Sequence, residues 1–208
     1  MLVRTVSLSR LFKKGGMTSE DILNSYWQED GDIYSLIPKD SFKEVNWADV
    51  PSTPYAVMSY QWQSKWGSIA EFILDSKEPV LQDYMWIDVL CLDQMDPDKM
   101  TTVRRSDEIY YHANEYHLME FGSLFRGWIL FELSSVKETM LPPAIHFSTQ
   151  DPAAINHMKW FLRSHGFDSC QFTEESDREI VKYEIIDQYG SIDEFNLRII
   201  AILDKILL

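Results

Sequence analysis

Tyr55-Ala-Val-Met-Ser-Tyr60 reads as a buried strand, and the alternation of strand and helix that it begins runs through the rest of the chain. A polar and aromatic loop, Gln61 to Gly67, leads into a helical segment from about Ser68 to Ser76. A second apolar run, Met85-Trp-Ile-Asp-Val-Leu-Cys-Leu92, ends in Asp93-Gln94 and an acidic loop carrying Pro97. Thr101 or Thr102 is placed to cap a helix through Val103, Ile109, Tyr110 and Ala113. Tyr116 to Glu120, Ala144 to Ser148 and Phe167 to Phe172 complete a set of five expected strands. Short apolar runs alternating with helical segments predict an α/β fold, an open and mostly parallel five-stranded sheet with helices on both faces. Right-handed crossovers make that sheet flavodoxin-like.

Outside the strands the helix signals are local and chemical. Asp151 precedes a helix bearing Ile155, Met158, Trp160, Phe161 and Leu162, and Ser191-Ile-Asp-Glu194 is a capping box for a last helix. In that last helix Phe195, Ile199, Ile202, Leu203 and Ile206 recur at helical spacing. Ile180, Val181, Tyr183, Ile185 and Ile186 read as one apolar face ending at Gly190. Residues 1–54 are less regular, with Gly15-Gly16, a helix start at Thr18-Ser19-Glu20-Asp21 and loops marked by Pro38, Pro51 and Pro54. They read as an N-terminal extension to a single α/β core over residues 55–208.

Composition narrows the function classes. With 208 residues the chain suffices for one well-buried core. The net charge of −14, from 19 basic and 33 acidic side chains, argues against nucleic acid or an anionic membrane surface as a partner. No apolar run approaches the length of a membrane span, and two cysteines, Cys91 and Cys170, make no disulfide framework. A reducing, cytoplasmic setting is therefore expected. No Cys/His cluster has zinc spacing, so neither metal nor cofactor is expected. There is no glycine-rich phosphate loop, and Ser59, Ser123 and Ser134 lack nucleophile-elbow glycines.

The most informative polar residue is Glu132, set in Ser123-Leu-Phe-Arg-Gly-Trp-Ile-Leu-Phe-Glu-Leu133, the most apolar helix of the chain. A buried carboxylate needs a partner or a raised pKa. On these residues alone a structural ion pair is the simpler reading, since such pairs also perturb pKa values. Asp88, inside the second expected strand, invites the same reading, with backbone amides or Arg104, Arg105 or Arg126 as partners. In a flavodoxin-like sheet ligands bind at the carboxyl ends of the strands. That selects Ser59, Tyr60, Trp62 and Trp66 after the first strand and Asp93 and Gln94 after the second.

Three segments together carry a resemblance. Tyr55-Ala-Val-Met-Ser-Tyr-Gln-Trp62, Trp86-Ile-Asp-Val-Leu-Cys-Leu-Asp-Gln94 and Arg126-Gly-Trp-Ile-Leu-Phe-Glu132 resemble, in order and approximate spacing, the motifs of the fungal heterokaryon-incompatibility (HET) domain. The likeness covers about residues 50–145 and departs from the family at Met58 and Gln63, where Leu and Gly are preferred. The HET domain looks like a divergent relative of TIR domains, in which a Trp-containing helix supplies a Glu that many members use to cleave NAD at its nicotinamide–ribose bond. The resemblance implies that role for Glu132, with Ser59, Tyr60, Trp62, Asp93, Gln94, Arg126 and Trp128 binding the substrate. It implies an NAD glycohydrolase of cell-death, immune or incompatibility signalling, with NAD as substrate rather than cofactor, working as a self-associated oligomer. The same family allows a non-catalytic self-association module. A nucleoside deoxyribosyltransferase, which uses a related fold and a Glu nucleophile, is a further alternative.

Overall fold

The computed structural model describes residues 2–7, 39–60, 82–92, 99–119, 124–137, 139–140, 144–147, 151–172 and 174–207. The helices expected at Thr18 to Trp27 and Ser68 to Ser76 lie outside them.

Among the described residues the sheet has six strands: β1 (Leu2–Ser7), β2 (Phe42–Asn46), β3 (Ala56–Ser59), β4 (Tyr84–Trp86), β5 (Glu115–Leu118) and β6 (Ile145–Phe147). Their order is β2-β1-β4-β3-β5-β6. The four strands β4-β3-β5-β6 run parallel, and β1 joins β4 antiparallel. Counted within the parallel group alone, the order is 2-1-3-4, the flavodoxin-like winding. Every side chain of β3 and of β5 is buried, as a strand covered on both faces requires.

Several expectations change. Residues 1–54, read as an extension, supply the antiparallel pair β1 and β2 and bury Val3, Val6, Val45 and Val50 in the common core. The second strand stops at Trp86, and Asp88 opens a short helix, α1 (Asp88–Cys91), instead of lying within a strand. Here the Leu90 and Cys91 amides donate to the Ile87 carbonyl, turning the chain out of the ladder. Phe167–Ser169 forms a 3-10 turn after Gly166 (φ 65°), and all that remains of the fifth expected strand is one bridge between Arg126 and Gln171.

The other helices described are α2 (Lys99–Val103), α3 (Ser106–His112), α4 (Gly127–Ser135), α5 (Pro152–Ser164), α6 (Glu175–Tyr189) and α7 (Ile192–Ile206). The single helix expected through Val103 and Ala113 is thus two, α2 and α3. Asp151 accepts from the Ala153 amide at 3.0 Å and Ser191 from the Glu194 amide at 3.1 Å, so both caps work as their positions predict. α6 ends on Gly190 in the left-handed region (φ 80°), which a side chain would strain. On α6 only Val181 and Ile185 are buried; Ile180, Tyr183 and Ile186, expected on the same face, are at least half exposed. Among the described residues no helix is long and apolar enough to cross a membrane.

Gly127 begins α4 because nothing larger fits. A Cβ there would lie 1.8 Å from the Phe172 ring, which is itself held edge-on by Phe167 at 5.5 Å. Gly127→Ala is therefore expected to lower stability by about 1–3 kcal/mol. Thermal or urea unfolding checks this; an unchanged midpoint would show that Phe172 yields freely.

Candidate active site

α4 is fixed at both ends, and that fixes Glu132. At its start the Gly127 amide donates to the Gln171 carbonyl at 3.1 Å, while the Gln171 amide donates to the Phe125 carbonyl at 2.8 Å. Its last turn is closed by Ser134 and Ser135, whose hydroxyls donate to the Phe131 carbonyl at 2.6 and 3.0 Å. Arg198 of α7 reaches across to donate from Nε to the Ser134 carbonyl at 3.3 Å and from Nη2 to the Val136 carbonyl at 2.6 Å. These are carbonyls that a helix end otherwise leaves without partners, and the guanidinium also complements the negative end of the dipole.

Between those anchors Glu132 Oε2 accepts a hydrogen bond from Ser59 Oγ at 2.5 Å. Ser59 is the last residue of β3 and pairs with Leu118 at the end of β5. β3 leads to a neighbour on one side and β5 to a neighbour on the other, so the two flank the point where the winding reverses. Ligands of doubly wound sheets bind outside the strands' carboxyl ends at that point.

Around the pair stand two tyrosines. Tyr110 of α3, buried and edge-on to Trp86 at 5.6 Å, lies with its hydroxyl 3.4 Å from Ser59 Oγ and 3.3 Å from the Met58 carbonyl. Tyr116 of β5 is completely buried, with its hydroxyl near Ser59 and in the field of Glu132, yet it completes no hydrogen bond among the described residues. Burial first, then the Glu132 charge, pushes both phenols well above their ordinary pKa, so both remain protonated donors. Burial pushes Glu132 up to about 8, helped by the negative charge of Asp88 and opposed by the hydrogen bonds from Ser59 and Tyr110. Tyr60 donates to the Asp88 carboxylate, which places that charge at the site and adds a tyrosine to the backbone amides or arginine expected as its partners.

Comparison of the chain with family models, curated proteins and solved structures returns no match. Of the residues selected from sequence, Ser59, Tyr60 and Glu132 come together. Trp128 lies one turn before Glu132 on α4, half-buried, with its ring edge-on to Phe131 at 6.3 Å. Arg126 is the residue before α4, tied through its backbone bridge to Gln171. Trp62, Asp93 and Gln94 lie outside the described residues. Sequence reasoning missed Tyr110 and Tyr116; a hydroxyl-bearing ring inside an apolar run was the available signal, because such a hydroxyl needs a polar destination.

Chemically, the arrangement is one carboxyl held in a poorly solvated place by neutral donors, without a cation beside it among the described residues. Such a group stabilises positive charge that develops next to it.

Proposed function

We propose that the chain is a TIR-like NAD glycohydrolase, cleaving the nicotinamide–ribose bond to give ADP-ribose or a cyclic product in cytoplasmic death or incompatibility signalling. One observation carries the reading: Glu132 is bonded to Ser59 at the winding reversal of a flavodoxin-like sheet, on the helix that follows the third parallel strand. Departure of nicotinamide takes the electron pair of the C–N bond onto the ring nitrogen and leaves it neutral, so no general acid is needed. The ribose is left with oxocarbenium character, which the ionised Glu132 stabilises. Water then adds at the anomeric carbon and gives up its proton; attack by an atom of the same nucleotide gives the cyclic product instead. Ser59 with Tyr110 keeps the carboxylate in place.

The direct test is nicotinamide release from NAD by the purified protein at low and high protein concentration. Because the ionised form works and the free site holds Glu132 near 8, kcat/KM is expected to rise about tenfold per pH unit between pH 6 and 7.5 and to level off above 8. A profile flat over that range would remove Glu132 from the chemistry.

A second reading, a non-catalytic self-association module, is favoured by Ile180, Tyr183 and Ile186 standing exposed along α6. The same assay separates the two: a folded, assembled protein that releases no nicotinamide at any concentration is the module.

A further inference from the structure

Glu115, His117 and His146 match no metal-binding spacing in the sequence, and the parallel pairing of β5 with β6 brings them together. His117 and His146 are direct partners in the β5–β6 register. Glu115 stands two residues before His117 and so shares its face of the sheet. The imidazoles stack with centroids 4.4 Å apart and planes 13° from parallel. Nε2 of His117 is 3.2 Å from Oε2 of Glu115. One donor atom from each of the three groups lies within 4.8 Å of the other two. Glu115 and His117 are almost fully buried, and His146 is partly so.

We propose that these three side chains form a binding site for a divalent transition metal ion of the zinc class. Two imidazoles and one carboxylate are the donor set of open zinc sites and of related Co²⁺ and Fe²⁺ sites; calcium and magnesium call for oxygen ligands alone. With bonds of about 2.0–2.1 Å, the donors of a tetrahedral site stand roughly 3.3 Å apart. The Glu115–His117 separation already meets that, and His146, whose donor lies within 4.8 Å, joins them by turning its ring out of the parallel stack on His117. A Glu–His hydrogen bond involves two of the three groups. His146 brings a third ligand to the same place from the neighbouring strand, on a backbone that the ladder holds still. The fourth position belongs to water.

The ion acts as a clamp. β6 is a three-residue edge strand, and metal bonds from His117 and His146 lock it to β5. Tyr116 lies between Glu115 and His117 and points to the opposite face, so the clamp also steadies the strand that presents its hydroxyl beside Glu132.

The test uses the 208-residue chain stripped with a chelator and titrated with Co²⁺ or Zn²⁺ alone. Expected are one Co²⁺ per chain with visible bands of four-coordinate geometry, displacement of those bands by Zn²⁺, and a rise in Tm on adding Zn²⁺. His146→Gln and Glu115→Gln, which keep approximate size, are each expected to weaken binding at least about 100-fold, with circular dichroism confirming the fold. Absence of stoichiometric uptake by the folded wild type overturns the proposal, whatever the variants do. Uptake that persists undiminished in both folded variants also overturns it by placing the metal elsewhere on the acidic surface. Neither outcome depends on whether NAD is cleaved.

Discussion

Glu132→Gln is expected to lower nicotinamide release from NAD by about 10³-fold or more while leaving the fold intact. The substitution keeps shape: the amide oxygen still accepts from Ser59, whose hydroxyl lies 2.5 Å away, and the helix around it remains tied to Gln171 at one end and Arg198 at the other. What goes is the negative charge. In a poorly solvated site, charge stabilisation of a cationic transition state is worth on the order of 4 kcal/mol, and each 1.4 kcal/mol is a factor of ten. KM should change little by comparison, because the charge matters most when the oxocarbenium forms. A folded variant that keeps activity within tenfold of wild type would end the proposal that Glu132 carries the chemistry.

The second large effect concerns stability against pH. An isolated glutamate titrates near 4.5, and in the folded protein burial raises Glu132 to about 8. Between those values the folded state holds a proton that the unfolded chain releases. Stability therefore declines as pH climbs from about 4.5 towards 8 and levels off above, the reverse of the usual salt-bridged carboxylate. Glu132→Gln cannot titrate, so its slope over this window should be shallower than that of wild type. At pH 8 the variant should melt higher, by on the order of 5 °C for a chain of this size. Urea melts at pH 5, 6.5 and 8 for both proteins decide it. Parallel slopes for wild type and variant would mean that Glu132 ionises normally in the fold. A variant that is dead towards NAD yet more stable at pH 8 would mark Glu132 as a residue kept at a cost to the fold.

The parts of this fold that local chemistry dictates were legible in the sequence, and the parts that distant pairing dictates were not. Asp151 and Ser191 announce their helices because a cap is a bond between neighbours two or three residues apart. β3, β5 and β6 overlap the apolar runs expected to hold them. The run from Met85 to Leu92 misled because unbroken apolar sequence does not distinguish a buried strand from a buried helical turn. The ladder with β1 and β3 takes only its first residues, and a helix opens at Asp88. The pairing of β1 with β2 escaped notice because Val3 meets Val45 across a long stretch of chain. Within the candidate site, Glu132 stood out as a carboxylate in an apolar helix, and Ser59 as the end of the first parallel strand. Tyr110 and Tyr116 did not stand out, since aromatic rings in apolar runs look like packing until their hydroxyls are placed. The Glu115–His117–His146 cluster was invisible for the same reason as β1: its third member arrives through strand pairing alone.

The reach of Arg198 back to the end of α4 sets a timetable for the newborn protein. A ribosome makes Ser59, Tyr110, Tyr116 and Glu132 long before it makes residue 198. Until that guanidinium emerges, the carbonyls of Ser134 and Val136 lack their donor and the helix bearing Glu132 is free to fray from its C-terminal end. The carboxyl is thus locked against Ser59 only after residue 198 has emerged, and a chain stalled earlier carries the residues of the site without its geometry.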